Sequence, residues 1–160
     1  MAVLQKFVRK VKSLLGGSAG GVIQKTPRII PASVHGIRPE LVAWQAIRTC
    51  EALQRRGFKA YVVGGAVRDM LLGVKPKDFD VATDATPEEV KACQKRAIII
   101  GRRFRLVHVI FGREVIECAT FRSLDTEGVR KDAAGRVISD NIFGEMWEDA
   151  ARRDFTINAM

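Results

Sequence analysis

Residues 61–83 read YVVGGAVRDMLLGVKPKDFDVAT, and the order of residue types along this stretch decides the fold. Tyr61-Val62-Val63 predicts a short buried strand that ends at Gly64-Gly65. Ala66 to Leu72 predicts a short helix closed by Gly73, and Asp78 to Ala82, after the Lys75-Pro76-Lys77 turn, predicts a second strand. Side chains two apart on a strand share a face, so Asp78 and Asp80 project together while Phe79 turns away. Two carboxylates held this close resist double ionisation unless a cation lies between them. Mg²⁺, with Mn²⁺ as an alternative, takes one or two carboxylates together with phosphate oxygens, which makes the pair a platform for a metal-bound nucleotide. Gly64 and Gly65 lack Cβ atoms and let a phosphate approach the backbone at the mouth of the following helix, where N–H groups and the dipole favour anions. Arg68, one turn into that helix, reaches the same phosphates as a charged fork. Alone, a Gly-Gly pair is ordinarily a tight turn and an Asp-x-Asp a solvated strand end. Placed in one strand–helix–strand unit, with Asp78 thirteen residues after Gly65, they point to a nucleotide site.

Upstream, Leu41, Trp44, Ile47 and Leu53 mark one face of a helix that begins near Pro39 and stops at Gly57. Downstream, Thr86-Pro87-Glu88-Glu89 carries three helix-start signals: a capping threonine, a proline at the first helical position and a glutamate placed to close a capping box. Ala97–Ile100, Arg103–Phe111 and Val115–Phe121 are apolar and β-branched, and the Gly112-Arg113 turn joins the last two as a hairpin. Residues 123–140 are polar and read as a mobile loop. A last amphipathic helix carries Ile142, Phe143, Met146, Trp147 and Ala150. The fold class this predicts is α+β, a mixed sheet of about four or five strands with flanking helices.

The chain has 160 residues, 47% of them apolar, which suits one globular domain and excludes wholesale disorder. No apolar run approaches the roughly 18 residues of a membrane span. Cys50, Cys93 and Cys118 are too few and too widely spaced for a disulfide framework or a zinc knuckle, and no secretory signal is visible, so a cytoplasmic location is expected. The net charge is +9, and Lys6, Arg9, Lys10, Lys12, Lys25, Arg28 and Arg38 all precede the first acid, Glu40. Residues 1–39 therefore read as a basic, partly flexible arm and residues 40–160 as the folded domain. In the arm Leu4, Phe7, Val8, Val11, Leu14 and Leu15 recur at helical spacing; Gly16-Gly17 and Gly20-Gly21 then break the helix. Pro27, Pro31 and Pro39 keep the rest extended. Such an arm serves an RNA, an anionic membrane surface or organelle import, or is a solvated tail.

The stretch 61–83 resembles the head-domain motif of the class II nucleotidyltransferases in the polymerase-β-like superfamily, a group containing tRNA CCA-adding enzymes and bacterial poly(A) polymerases. IIIGRRFRLVHVIFG (98–112), EVIECATFR (114–122) and DNIFGEMWEDAARRDFTINAM (140–160) resemble the same group in the same order. GRRFRLVHV and the IIP…HGI lead-in at 29–37 look more like the bacterial poly(A) polymerases. The resemblance implies template-independent transfer of AMP from ATP to RNA 3′ ends with release of pyrophosphate. tRNA CCA addition is the alternative, and a non-catalytic RNA-binding module or inactive fragment is the alternative of another class. Carried over by matching motif, Asp78 and Asp80 hold the metal ions, and Gly64, Gly65 and Arg68 face the phosphates. Arg153 and Asp154 of the RRDFTIN motif complete the nucleotide site, with Asp154 as a catalytic carboxylate. Family members continue well past this motif, so the head is expected to be truncated at its C-terminal end. Alone it should bind nucleotide weakly and extend RNA poorly, because positioning supplies much of such catalysis.

From the residues alone, Arg153-Asp154 near a helix end also reads as a structural ion pair. Glu117 stands among Val115, Ile116 and Ala119, where an uncompensated charge is costly. A place in the metal site as a third carboxylate explains it, and so does a salt bridge to an arginine. His108 reads as a packed, hydrogen-bonded core histidine, and Trp44 and Trp147 as core side chains. Arg102, Arg103 and Arg105 are RNA-phosphate contacts or a solvated strand end.

Overall fold

In a computed structural model of the chain, residues 28–102, 104–125, 130–131, 137–139 and 142–160 are described. The expected helix at 4–15 and Arg103 lie outside the described residues. The elements run α1 (Ala32–His35), α2 (Trp44–Gln54), β1 (Ala60–Val63), α3 (Gly65–Leu72), β2 (Asp80–Thr83), α4 (Pro87–Cys93), β3 (Ala97–Ile100), β4 (Leu106–Phe111) and β5 (Glu114–Thr120). They continue as β6 (Arg130–Lys131), β7 (Val137–Ser139) and α5 (Met146–Ala151), with 3₁₀ turns at Pro39–Leu41 and Thr156–Asn158.

Five strands form one mixed sheet in the order β1-β2-β5-β4-β3, in which β2 and β5 are parallel and the other neighbours antiparallel. Alternation along each strand divides the sheet into two faces. Val81 and Thr83, Ile116 and Cys118, and Val107 and Val109 are buried beneath α2 and α4, where they meet Ala46, Cys50, Leu53 and Val90. The opposite face carries one row across four strands, since Asp80 pairs with Glu117, Glu117 with His108 and His108 with Ile98. Leu53 is fully buried at the centre of the helical layer. Leu53→Ala is expected to cost about 2–5 kcal/mol, read as a lower urea midpoint with an unchanged slope.

Local chemistry explains most boundaries. Thr86 caps α4 and Glu89 closes the capping box, as its sequence requires. Phe79 packs against the core while Asp78 and Asp80 stay exposed. The second strand, however, begins at Asp80 rather than Asp78. Val63 is the last β1 residue opposite it, and Gly64 turns the chain away, so Asp78 has no strand to pair with. Strand β4 begins at Leu106 rather than Arg103, because Gly101 at φ +80° folds the chain so tightly that a Cβ there would overlap the Phe104 carbonyl.

Other expectations are corrected. The buried side of α2 is Ala46, Thr49, Cys50 and Leu53, not the stripe of Leu41, Trp44 and Ile47. Small residues let the helix sit close to the sheet, and Trp44 flanks the core, 55% exposed, edge-on to Phe111 at 5.4 Å. The 123–140 stretch contains the antiparallel pair β6–β7. The last helix starts at Met146, not Ile142. Phe143 bridges Arg122, and Gly144 passes so close to the Ser123 backbone that no side chain fits. Residues 28–37, read as part of the arm, contribute Arg28, Ile30, His35 and Ile37 to the wall of a cavity.

Candidate nucleotide and metal site

The site is assembled on the open face where β1 ends, β2 begins and α3 starts, beside the middle of β5. Gly64 joins β1 to α3 at φ 72° and ψ −134°, a conformation open essentially to glycine alone. A Cβ at Gly64 would stand 3.9 Å from Asp80 Oδ2, so the glycine loop lies directly against that carboxylate. The Gly64 N–H donates to the Met160 carbonyl at 2.7 Å.

Arg68 folds back over the loop, and a Cβ on Gly65 would stand 3.4 Å from Arg68 Nη2. Its Nε donates to Asp69 Oδ1 and its Nη1 to Asn158 Oδ1, each at 2.9 Å, and Nη2 pairs with Asp69 Oδ1 at 2.9 Å. A guanidinium has five N–H donors. Three are used here, which leaves a charged edge over the glycine loop.

Asp80 is flanked by Asp78, two residues before it, and by Glu117, its partner on β5. Its carboxyl is held above the ordinary carboxylate value, first by desolvation, then by the negative charges of Glu117 and Asp78, while Arg153 pulls the other way. All three acids offer hard oxygen donors, the chemistry of a hard divalent cation. Among the described residues, no three His, Cys, Asp or Glu side chains close a metal cage by themselves.

Glu117 faces His108 across the β4–β5 pair, with His108 Nε2 3.5 Å from Glu117 Oε1. His108 is therefore not the hydrogen-bonded core histidine the sequence suggested. Its Nε2 is buried without a hydrogen bond and faces the acid. Arg153 contributes its charge to Asp80 and is held from behind by Asp149 at 3.2 Å. Asp154 is exposed and is not among the charges that act on Asp80. Arg152 is turned elsewhere, its Nη1 donating to the Ser123 carbonyl at 2.7 Å.

Three contributors were not visible as site residues in the sequence: Asp69, Asp149 and Asn158. Only Asp149 carried a readable signal, standing one helical turn before Arg153. Beside the carboxylates lies a cavity of about 810 Å³, lined chiefly by apolar side chains such as Tyr61, Val63, Val67 and Trp147, with Arg153 and Asn158 as polar members. The cysteines take no part. Burial pushes the Cys118 thiol up to about 12 and the Cys50 thiol up to about 11, which keeps both protonated.

Comparison with known proteins agrees with this geometry. The Poly A polymerase head domain family matches residues 60–160. The chain is 47% identical over 138 residues to the poly(A) polymerase I of Haemophilus influenzae, which covers 82% of this chain and 30% of that protein. It is 37% identical over 117 residues to a CCA-adding enzyme of Staphylococcus aureus, covering 72% of this chain and 28% of that one. The crystal structure of the Bacillus stearothermophilus CCA-adding enzyme in complex with CTP superposes with a TM-score of 0.59 at 35% identity, covering 76% of this chain and 27% of that one. The chain thus spans about 30% of the length of the curated relatives it matches. With its glycine loop against Asp80 and the acids of β2 and β5 in one row, the chain belongs to the Poly A polymerase head domain family.

Proposed function

We propose that the protein is the catalytic head of a poly(A) polymerase, adding AMP from ATP to RNA 3′ ends without a template. The observation that carries this reading is that the Gly64-Gly65 loop, with Arg68 folded over it, lies against Asp80, whose neighbours are the acids Asp78 and Glu117. One feature binds phosphate and the other binds the cation that accompanies it. Asp78 and Asp80 would hold Mg²⁺ or Mn²⁺ together with phosphate oxygens, with Glu117 beside Asp80 on β5 as the candidate third carboxylate. Bound there, the ions would supply charge neutralisation for the triphosphate and would lower the pKa of the attacking hydroxyl. Gly64 and Gly65 admit the phosphates to the N-terminus of α3, and Arg68 and Arg153 supply cationic edges. The 3′-oxygen forms a bond to the α-phosphorus as the α–β bridge breaks. Pyrophosphate leaves, and the hydroxyl proton is lost to water. By the match of the RRDFTIN motif alone, Asp154 serves as a further catalytic carboxylate.

Poly(A) addition is favoured over CCA addition by identity, 47% to a poly(A) polymerase I against 37% to a CCA-adding enzyme, and over more of the chain. The alternative retains the support of the superposed CCA-adding structure. The substrates are an RNA 3′ end and ATP. The basic arm before Glu40 adds contacts to the RNA backbone. No helix among the described residues is long and apolar enough to cross a membrane. Buried, protonated cysteines suit a reducing cytoplasm.

The test offers the protein at its native length ATP or CTP, with an A-tailed RNA or a tRNA lacking CCA. Processive incorporation of AMP on the A-tailed RNA, at least about tenfold above CMP, is expected, as little more than 1.4 kcal/mol of selectivity provides. Incorporation confined to the tRNA, with CMP before AMP, establishes the CCA reading instead. ATP-independent RNA binding without transfer establishes the non-catalytic one.

A further inference from the structure

Helix α5 opens on a capping box between Glu145 and Glu148 and ends at Ala151, and Asp149 on it stands four residues before Arg153, which lies just past the helix end. Asp149 is only 7% exposed, unusual for an acid, and lies between two arginines. Its Oδ1 accepts the Arg122 backbone N–H at 3.3 Å and stands 3.9 Å from Arg122 Nε, while its Oδ2 accepts from Arg153 Nη2 at 3.2 Å. Arg122 is itself fixed, with its guanidinium 5.3 Å from the centre of the Phe104 ring.

Tethering the helix does not require this burial. Glu148 already accepts from Ser123 Oγ at 2.8 Å and from the Leu124 N–H at 3.2 Å, and Arg152 donates to the Ser123 carbonyl at 2.7 Å. A neutral acceptor would satisfy the Arg122 backbone N–H equally well. Of the two guanidinium groups that face a charge at 149, Arg122 Nε stands off at 3.9 Å, whereas Arg153, which lines the cavity beside Asn158 and acts on Asp80, is hydrogen-bonded at 3.2 Å.

We propose that Asp149 is a positioning residue that pins one edge of the Arg153 guanidinium, so that its other edge is aimed at a phosphate of the incoming nucleotide. The inference rests on the reading of Arg153 as a nucleotide ligand. A free arginine must lose rotamer freedom when it binds; one clamped from behind has lost it already and binds with less penalty. A buried carboxylate is the clamp that holds in the absence of substrate.

The experiment measures Mg²⁺–ATP affinity by calorimetry for the native-length protein, Asp149→Asn, Arg153→Ala and the double variant. Asp149→Asn is expected to weaken ATP about tenfold, in the range of one charge-assisted hydrogen bond, with native circular dichroism. The double variant should bind no more weakly than Arg153→Ala, because the clamp has nothing left to hold. A folded Asp149→Asn that binds as the parent, or losses that add in the double variant, overturns the inference. Should Arg153→Ala itself bind as the parent, the reading of Arg153 fails and the positioning role falls with it, a result distinct from the first. If Asp149→Asn does not fold, the parent protein decides through the guanidinium NMR signals of Arg153. Hindered Nη rotation without nucleotide supports the clamp, and free rotation overturns it.

Discussion

Replacing Asp80 by asparagine is expected to abolish nucleotidyl transfer while making the folded protein more stable at neutral pH. The two effects share one cause. Asp80 has Glu117 beside it on β5 and Asp78 two residues before it, and desolvation adds to their repulsion, so its proton is held above the ordinary value of 3.8. A folded state that holds a proton more tightly than the unfolded chain is favoured at low pH and loses that advantage as pH rises through the folded-state value. Ionised Asp80 therefore opposes folding from pH 3.8 upward, and asparagine, neutral throughout, removes the penalty. The melting temperature of Asp80→Asn should exceed that of the parent at pH 7 and approach it on acidification. Added Mg²⁺ should raise the parent far more than the variant, because bound cation stabilises only the state that holds it. Loss of metal-supported charge neutralisation is worth several kcal/mol, so transfer should fall by about 1,000-fold or more at about 1.4 kcal/mol per factor of ten. Equal melting curves at all pH values would show that the acids do not act on one another. Retained transfer would remove Asp80 from the chemistry.

The parts of this molecule that could be read from the sequence are those whose signals are local. The capping box at Thr86, the Gly112-Arg113 turn and the apolar, β-branched runs on either side of that turn are written in neighbouring residues, and each appears in the fold. The Gly-Gly and Asp-x-Asp pairing was legible because it combines two local motifs at a fixed spacing. Contacts made between distant segments were not legible. His108 and Glu117 are nine positions apart in sequence but opposite one another across a hairpin, and only the register of that hairpin brings them together. Asn158 reaches Arg68 across 90 residues. Trp44 misled for a related reason: apolar periodicity gives the stripe, but the sheet selects which part of it is buried, and it selected Ala46 and Cys50 because small side chains permit close approach. The start of the last helix was set by the tight passage of Gly144 beside Ser123, a tertiary constraint invisible in its own segment.

A comparison of two glycines should separate a phosphate cradle from a mere turn. Gly73 closes α3 at φ 73° and ψ 22°, with open space where a Cβ would be. Gly64 opens the same helix at a nearly identical φ of 72° but at ψ −134°, with Asp80 Oδ2 and the Asn158 carbonyl each 3.9 Å from a Cβ position. Gly73→Ala carries the left-handed penalty of about 1–2 kcal/mol, with a lower melting temperature and unaltered transfer per folded molecule. Gly64→Ala is expected to cost about 1–3 kcal/mol of stability. It should also relax by moving the loop, because no L-residue is comfortable at that ψ. The loop carries the start of α3 and lies against Asp80, so a shift of about 1 Å misplaces the phosphate-facing amides relative to the acids, a fault worth roughly 100-fold in rate. The readout is transfer and Mg²⁺–ATP affinity normalised to folded protein, beside melting temperature. Loss of stability in both variants with loss of transfer only in Gly64→Ala identifies the loop as part of the site. Parallel behaviour of the two would return Gly64 to the status of a turn residue, and would leave the acids around Asp80 without their phosphate-binding partner.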